Sequence, residues 1–409
     1  MIYEIKAPVC KKLSGKIQLP ASKSISNRAL ILHALSQSDL PIRNIAHCDD
    51  TDVMVKALSS SGNAIDIGAA GTSMRFLTAY LSNTDGDWTI TGSERMKQRP
   101  ISILVDALRN LGAEIDYMGN EGFPPLRIKG KALQGGDIHL DGSVSSQYIS
   151  ALLMVAPTMT NGLTLTLDGK IISRPYIRMT LKMLEEFGIQ ADWNDNVIRI
   201  AHQKYAPVDY EVESDWSASS YWYQICALSE IGSEINLPGL RKESQQGDAA
   251  VAKIFEHFGV TTLYTPEGIT IKHDGCPQGK LQLDLVNQPD LAQTIVVTSC
   301  LLNVPFEITG LETLKIKETD RISALINECA KLGYHLNGTN SSLSWEGNEK
   351  AEEQESPILT YKDHRMAMAF APAAFRFPKI EIEDPLVVSK SYPRYWEDLR
   401  TVRFEIQER

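Results

Sequence analysis

Apolar and polar positions along this chain follow one recurring arrangement. A short turn rich in Ser, Thr, Gly or Asp leads into about ten nearly all-apolar residues, the pattern of a helix buried on every side. It opens at Ser22 (SKSISNRALILHAL), Gly71 (GTSMRFLTAYL), Ser143 (SVSSQYISALLMVA), Asp215 (DWSASSYWYQICAL), Pro289 (PDLAQTIVVTSCLL) and Asp363 (DHRMAMAFAPAAF). From Gly71 onward the starts lie about 70 residues apart, a tandem duplication rather than a short solenoid repeat. A second, amphipathic pattern alternates with the first: VMVKALSSSGNAI, ILVDALRNLGAEI, MTLKMLEEFGIQA, AAVAKIFEHFGVT and SALINECAKLGYH. Each runs into a glycine suited to a helix C-cap, namely Gly62, Gly112, Gly188, Gly259 and Gly333. Between the helices, period-two stretches such as DWTITG, LRIKG, LTLTLDG, VIRIA, GITIKH, LQLDL, FEITG and KIEIED predict strands.

The expectation is an α/β chain of six units, each with strands, one buried helix and one amphipathic helix facing solvent. The polar mouths of the buried helices are then able to converge. Break points are expected at the turn before Ser22 and in YEVESD, Tyr210 to Asp215, separating three units from the other three. The acidic stretch NEKAEEQES, Asn348 to Ser356, reads as a surface turn.

Composition narrows the chemistry. A length of 409 residues exceeds one ordinary core, and 43% hydrophobic with 22% charged residues is globular. A formal net charge of -10 excludes general nucleic-acid binding, so any anion site is local. No apolar run reaches the roughly 20 residues of a membrane span, and MIYEIKAPVCKKLSG lacks a signal-peptide core, which predicts a cytoplasmic protein. Cys10, Cys48, Cys226, Cys276, Cys300 and Cys329 lack metal-ligand spacing and are expected as buried free thiols.

Against that background the polar turns stand out. PASKSISNRAL sets Lys23, Ser24, Ser26 and Arg28 at a helix start, where unpaired backbone N–H groups already favour anions. GAAGTSMR allows close backbone approach at Gly71 but has neither P-loop nor GxGxxG spacing, so a mononucleotide is not indicated. ERMKQRP holds three cations in five residues. DGSVSSQ offers hydroxyls and an amide, donors for a phosphate rather than ligands for a metal, and lacks the GxSxG elbow of a hydrolase. KIKETDR, read as helix, puts Lys317 and Arg321 on one face with Glu318 between them. Asp290 and Asp363 open buried helices, and SKSYPRYW supplies Lys390, expected as a flexible lysine able to swing onto an anion. Cations at the helix mouths of a net acidic protein together indicate a site for multiply charged anions.

SKSISNRAL, AGTSMR, RMKQRP, DGSVSSQ, KETDR, DHRMAM and SKSYP, in this order from about residue 20 to 395, resemble the 5-enolpyruvylshikimate-3-phosphate synthase family of enolpyruvyl transferases. The resemblance implies transfer of the enolpyruvyl group of phosphoenolpyruvate to the 5-hydroxyl of shikimate 3-phosphate, without metal or organic cofactor, by a monomer. It also implies an inside-out α/β barrel of two domains with three repeated units each. These would be residues 1–20 with 213–409, and 21–212, with hinges near 20 and 213 and ligands in a cleft that closes.

Carried over by position, Lys23, Ser24, Arg28, Ser145, Ser146, Gln147, Ser173, Tyr176, Asp290, Thr313 and Lys317 match shikimate 3-phosphate contacts. Lys23, Gly71, Arg99, Gln147, Arg321, Arg365 and Lys390 match phosphoenolpyruvate contacts, with Arg99 and Lys390 on its phosphate and Arg321 and Arg365 on its carboxylate. Asp290 and Glu318, assisted by Lys23, match the proton-transfer groups. Ala69, Phe76 and Thr313 depart from the residues common in the family. Ala69 and Phe76 adjoin the phosphoenolpyruvate positions, which glyphosate occupies in the family. The nearest alternative is the related transferase acting on UDP-N-acetylglucosamine, whose loop cysteine has no counterpart between Asp87 and Pro100. A non-catalytic phosphate-ligand binder would have no need of Asp290, Glu318 and Lys390.

Overall fold

The computed structural model describes residues 1–60, 62–347 and 356–409. The stretch expected as an acidic surface turn, Asn348 to Ser356, lies outside them apart from Ser356. The chain forms two compact units, Ala21–Val212 and Met1–Pro20 with Glu213–Arg409.

In the Ala21–Val212 unit the all-apolar patterns are helices α1 (Lys23–Ser36), α3 (Gly71–Ser82) and α5 (Ser146–Val155), alternating with the amphipathic α2 (Asp49–Ser59), α4 (Ser102–Asn110) and α6 (Arg174–Glu186). Every residue of α5 from Tyr148 to Val155 is buried, whereas α6 buries only Ile177, Met179, Thr180, Met183 and Leu184. The other unit repeats the alternation with buried α7 (Trp216–Leu228), α9 (Ala292–Leu301) and α11 (His364–Phe370), and with the partly exposed α8 (Val251–Phe255), α10 (Arg321–Ala330) and α12 (Tyr395–Thr401). Side chains at the helix starts fix where several begin. The oxygens of Ser22, Ser145, Asp215, Asp320 and Asp363 each accept from a backbone N–H one turn in or nearer. Pro372 ends α11 by removing a donor, so Ala371–Phe375 continues as a 3-10 turn.

The strands repeat too. Gly86–Thr91 runs parallel to Ala64–Asp66 and antiparallel to Leu126–Gly130, which pairs with Glu114–Tyr117. Leu163–Asp168 stands in the same relation to Gly136–Asp141, Val197–Ile200 and Asp192–Asn194. Glu234–Pro238 does so with Ser14–Lys16, Gly268–His273 and Val260–Thr265, and Phe306–Thr309 with Leu281–Asp284, Leu343–Trp345 and Asn337–Gly338. In each, a parallel pair brackets a buried helix, and a parallel connection of this kind needs such a crossover. The third of these repeats is interrupted, since the chain leaves after Ser14–Lys16 and returns at α7. Near that return Asp215 N donates to Pro20 O (2.9 Å), and the buried Glu213 carboxylate accepts from Trp216 Nε1, Arg241 N, Ser244 Oγ and Gln246 Nε2.

Two expectations fail locally. Gly112, Gly188, Gly259 and Gly333 are left-handed as helix-end glycines, but α2 stops at Ser59, before Gly62. There the Ser59 hydroxyl donates to the carbonyls of Val55 and Lys56, satisfying them without a left-handed cap. The cysteines are free, and Cys48, Cys226, Cys300 and Cys329 are buried, but Cys10 and Cys276 are exposed because they sit in turns rather than in apolar runs.

Candidate active site

Each unit gathers its own set of predicted residues. In Ala21–Val212 the start of α1 carries Lys23, whose Nζ lies 3.0 Å from Asp50 Oδ2 in the first turn of α2. Asp50 is buried, and its carbonyl accepts from Ser73 Oγ of α3 at 2.9 Å. One turn deeper, Arg28 donates to Thr180 Oγ1 (2.8 Å), Ser150 Oγ (3.0 Å), Ser24 O (2.9 Å) and Tyr176 O (3.5 Å), tying α1 to α5 and α6. The guanidinium also sits over the Phe76 ring, 5.3 Å from its centroid, so Phe76 serves as its floor. All of these acceptors are neutral, and burial pushes the Arg28 pKa down to about 10. A buried cation with neutral partners leaves its field available to an anion nearby.

At the start of α3, a Cβ added to Gly71 would meet Arg99 Nη1 at 2.5 Å, so glycine is required for that guanidinium to lie against the backbone. Arg99 Nε is buried without a hydrogen-bond partner. Gln147 Nε2 donates to Thr72 Oγ1 (3.1 Å), joining the mouths of α5 and α3. Ser145 caps α5, Ser146 begins it, and Ser173 precedes α6 in a left-handed conformation (φ 52°) with Pro175 following, a strained backbone for a residue other than glycine.

In the other unit the predicted residues form one ion cluster. Asp290, in the 3-10 turn Pro289–Leu291 that leads into α9, takes Arg365 Nη2 on Oδ2 (2.8 Å) and Arg321 Nη1 on Oδ1 (3.1 Å), with Lys317 Nζ 3.6 Å from Oδ1. Glu318 takes Lys390 Nζ (2.8 Å) and Arg321 Nη2 (3.1 Å). Asp363 does more than cap α11, because it also receives Arg321 Nε (2.7 Å) and Nη2 (3.3 Å). Burial alone would raise the Asp290 pKa, but Arg365, Lys317 and Arg321 outweigh it and hold that carboxyl well below the usual range. The Thr313 hydroxyl is buried without a hydrogen-bond partner.

Two local expectations change. Lys317 and Arg321 do not share a helix face, since Asp320 caps α10 and Lys317 ends the preceding 3-10 turn, Glu312–Ile316. They meet at Asp290 instead, and the cations bonded to Glu318 are Arg321 and Lys390. Nor is Lys390 a swinging side chain: it is 9% exposed and ends the 3-10 turn Pro385–Lys390. Sequence reasoning missed Asp50 and Asp248. Asp50 lies in the run Asp49, Asp50, Asp52, which by itself reads as ordinary acidic enrichment of a helix first turn.

Known proteins resemble this chain over nearly its whole length. The family model described as EPSP synthase (3-phosphoshikimate 1-carboxyvinyltransferase) matches residues 9–65 and 59–399. A 3-phosphoshikimate 1-carboxyvinyltransferase of Bacteroides fragilis is 58% identical, covering 100% of this chain and 99% of that protein. One from Colwellia psychrerythraea is 36% identical, covering 96% and 97%. The fold matches the solved EPSP synthase of Acinetobacter baumannii with a TM-score of 0.79 at 22% identity, across 100% of both chains. The chain belongs to the EPSP synthase family.

Proposed function

We propose that this chain transfers the enolpyruvyl group of phosphoenolpyruvate to the 5-hydroxyl of shikimate 3-phosphate, releasing phosphate by addition and elimination. The observation that carries the reading is the cluster of Lys317, Arg321, Arg365 and Lys390 around Asp290 and Glu318: two carboxylates able to move protons, set among cations suited to a multiply charged anion.

In this reading Ala21–Val212 is the shikimate 3-phosphate half, and its hydroxyls and amide, Ser24, Ser145, Ser146, Ser173 and Gln147, serve the phosphate and ring with Lys23, Arg28 and Tyr176. Arg99, beside Gly71, and Lys390 take the phosphate of phosphoenolpyruvate. Arg321 and Arg365 take its carboxylate, where a planar guanidinium matches two oxygens. Asp290, Thr313 and Lys317 face the acceptor.

Addition requires a base for the 5-hydroxyl and an acid for the methylene carbon. Asp290 is the base and Glu318 the acid, with Lys23 stabilising the developing charge. In the free protein Asp290 is a weak base, because Arg321 and Arg365 bond it directly. The carboxylate of phosphoenolpyruvate competes for those guanidiniums, and as it takes them Asp290 becomes more basic. The phosphate draws Lys390 from Glu318 in the same way, which lets that carboxyl hold a proton. Substrate binding thereby tunes both groups in the directions the reaction needs.

No helix among the described residues is long and apolar enough to cross a membrane. We assign the enzyme to the cytoplasm as a monomer, with small-molecule substrates and no cofactor. The test is phosphate release from phosphoenolpyruvate with shikimate 3-phosphate and, separately, with UDP-N-acetylglucosamine. Release with shikimate 3-phosphate alone supports the reading. Release only with the nucleotide sugar, or with neither, overturns it.

A further inference from the structure

Asp248 is a buried acid that the reaction scheme above does not use. It lies in the 3-10 turn Gly247–Ala250 that leads into α8, and it is 3% exposed. Its Oδ2 accepts from Ser217 Oγ in the first turn of α7, and its Oδ1 is buried with no hydrogen-bond partner. Among the described residues no cation bonds it. Asp290, Glu318 and Asp363, by contrast, are each bonded to at least one arginine.

A carboxyl removed from water without a cation favours its neutral form. The charged groups acting on it are Asp290 in the 3-10 turn before α9, Arg365 on α11 and Asp215 capping α7. Asp290 and Asp215 oppose its ionisation, while Arg365 and the Ser217 hydroxyl favour it. Of these, Arg365 is the one whose influence a ligand would change. A bound carboxylate on that guanidinium would neutralise the charge that favours ionised Asp248.

We propose that Asp248 is the positioning residue that balances charge when phosphoenolpyruvate binds, taking one proton from solvent as the substrate carboxylate occupies Arg365. The inference rests on the functional reading above. In proton balance, ionised Asp248 and one solvent proton give neutral Asp248 as the substrate binds, a proton additional to the one that Glu318 holds in the scheme above. The direction agrees with the carboxyl's own tendency, since burial first and Asp290 second push its pKa up to about 7, against the pull of Arg365 and Ser217. Protonation therefore needs little persuasion near neutrality. At higher pH an ionised Asp248 would oppose a second anion beside it.

The test compares the KM for phosphoenolpyruvate in the wild type and in Asp248→Asn at pH 6.5 to 9, with shikimate 3-phosphate saturating. Asparagine keeps an oxygen for the Ser217 hydroxyl and cannot ionise, and the comparison cancels the titration of the substrate's own phosphate. In the wild type the KM should climb above neutrality by up to tenfold per pH unit beyond that shared titration, the limit for one linked proton. In Asp248→Asn that extra climb should vanish, leaving tighter binding than wild type at pH 8.5. Parallel profiles overturn the proposal. Should Asp248→Asn fail to fold, Ser217→Ala serves: removing the donor that favours the ionised form must move the climb to higher pH, and an unmoved climb overturns the proposal equally. Absence of phosphate release by the wild type would instead overturn the functional reading itself, so the two failures are distinguishable.

Discussion

Asp290→Asn separates two things that one carboxylate does. In the free protein Asp290 satisfies Arg365 at 2.8 Å and Arg321 at 3.1 Å, with Lys317 at 3.6 Å, and its side chain is 17% exposed. A single charge pair at these distances is worth about 5 kcal/mol at an effective dielectric of about 20, before desolvation is subtracted. Breaking a fully buried pair costs about 3–5 kcal/mol, but Arg321 keeps Asp363 and Glu318, so a loss of about 1–3 kcal/mol is expected here. The melting temperature of the free enzyme should drop by about 2–10 °C. The same loss removes the internal competitor for the two guanidiniums, so phosphoenolpyruvate should bind about 5- to 150-fold more tightly. Turnover should meanwhile fall by about 10²- to 10⁴-fold, because the base is gone. Thermal melts and calorimetric titration of phosphoenolpyruvate into enzyme saturated with shikimate 3-phosphate measure both effects. Weaker phosphoenolpyruvate binding than wild type would refute the competition argument, and near-normal turnover would refute the assignment of the base.

Lys23→Ala should reduce turnover by at least about 100-fold while the protein stays folded, with the melting temperature lowered by about 2–10 °C because the mostly buried pair with Asp50 is lost; a near-normal rate would contradict the role given to Lys23. Gly71→Ala should raise the KM for phosphoenolpyruvate by about tenfold with little change in unfolding free energy, because the new Cβ meets only the far end of Arg99, which can move aside. Arg28→Ala should cost about 2–4 kcal/mol in denaturant unfolding, as it removes the hydrogen bonds to Thr180, Ser150 and two carbonyls and leaves a void above Phe76. Stability should also report on Asp248. Its folded pKa of about 7 lies above the ordinary carboxylate value of about 4, so the stability it contributes is complete below about pH 4 and lost as pH rises to about 7. Asp248→Asn should therefore gain on wild type in urea titrations across that window, by at most about 4 kcal/mol, and a constant difference from pH 4 to 8 would contradict the carboxyl's raised pKa.

Much of the α/β fold was legible because hydrophobic period and helix start agree. Ser22, Asp215 and Asp363 each stand in the polar turn that leads into an apolar run, and each caps the helix it precedes. The repetition was legible for the same reason, since six runs of the same kind announce six buried helices. Strand partners were not, because pairing such as Ser14–Lys16 with Glu234–Pro238 spans an insertion of nearly 200 residues that no local pattern encodes. In the candidate site, residue types at the helix starts were readable, but bonding partners were not. Lys23 and Asp50 come from different helices, and Arg321 draws its carboxylates from three separate segments. KIKETDR misled because a helical spacing argument ignores Asp320, which prefers to cap a new helix rather than continue an old one. Asp248 gave no signal at all, since its importance lies in burial without a cation, a property of the fold alone.

The most direct test of the account remains the stoichiometric release of phosphate from phosphoenolpyruvate by the purified protein. With shikimate 3-phosphate present, the expected result is phosphate equal to acceptor consumed and a product bearing the enolpyruvyl group on the 5-oxygen, with no release on UDP-N-acetylglucosamine. A chain that binds both anions yet releases no phosphate would contradict it.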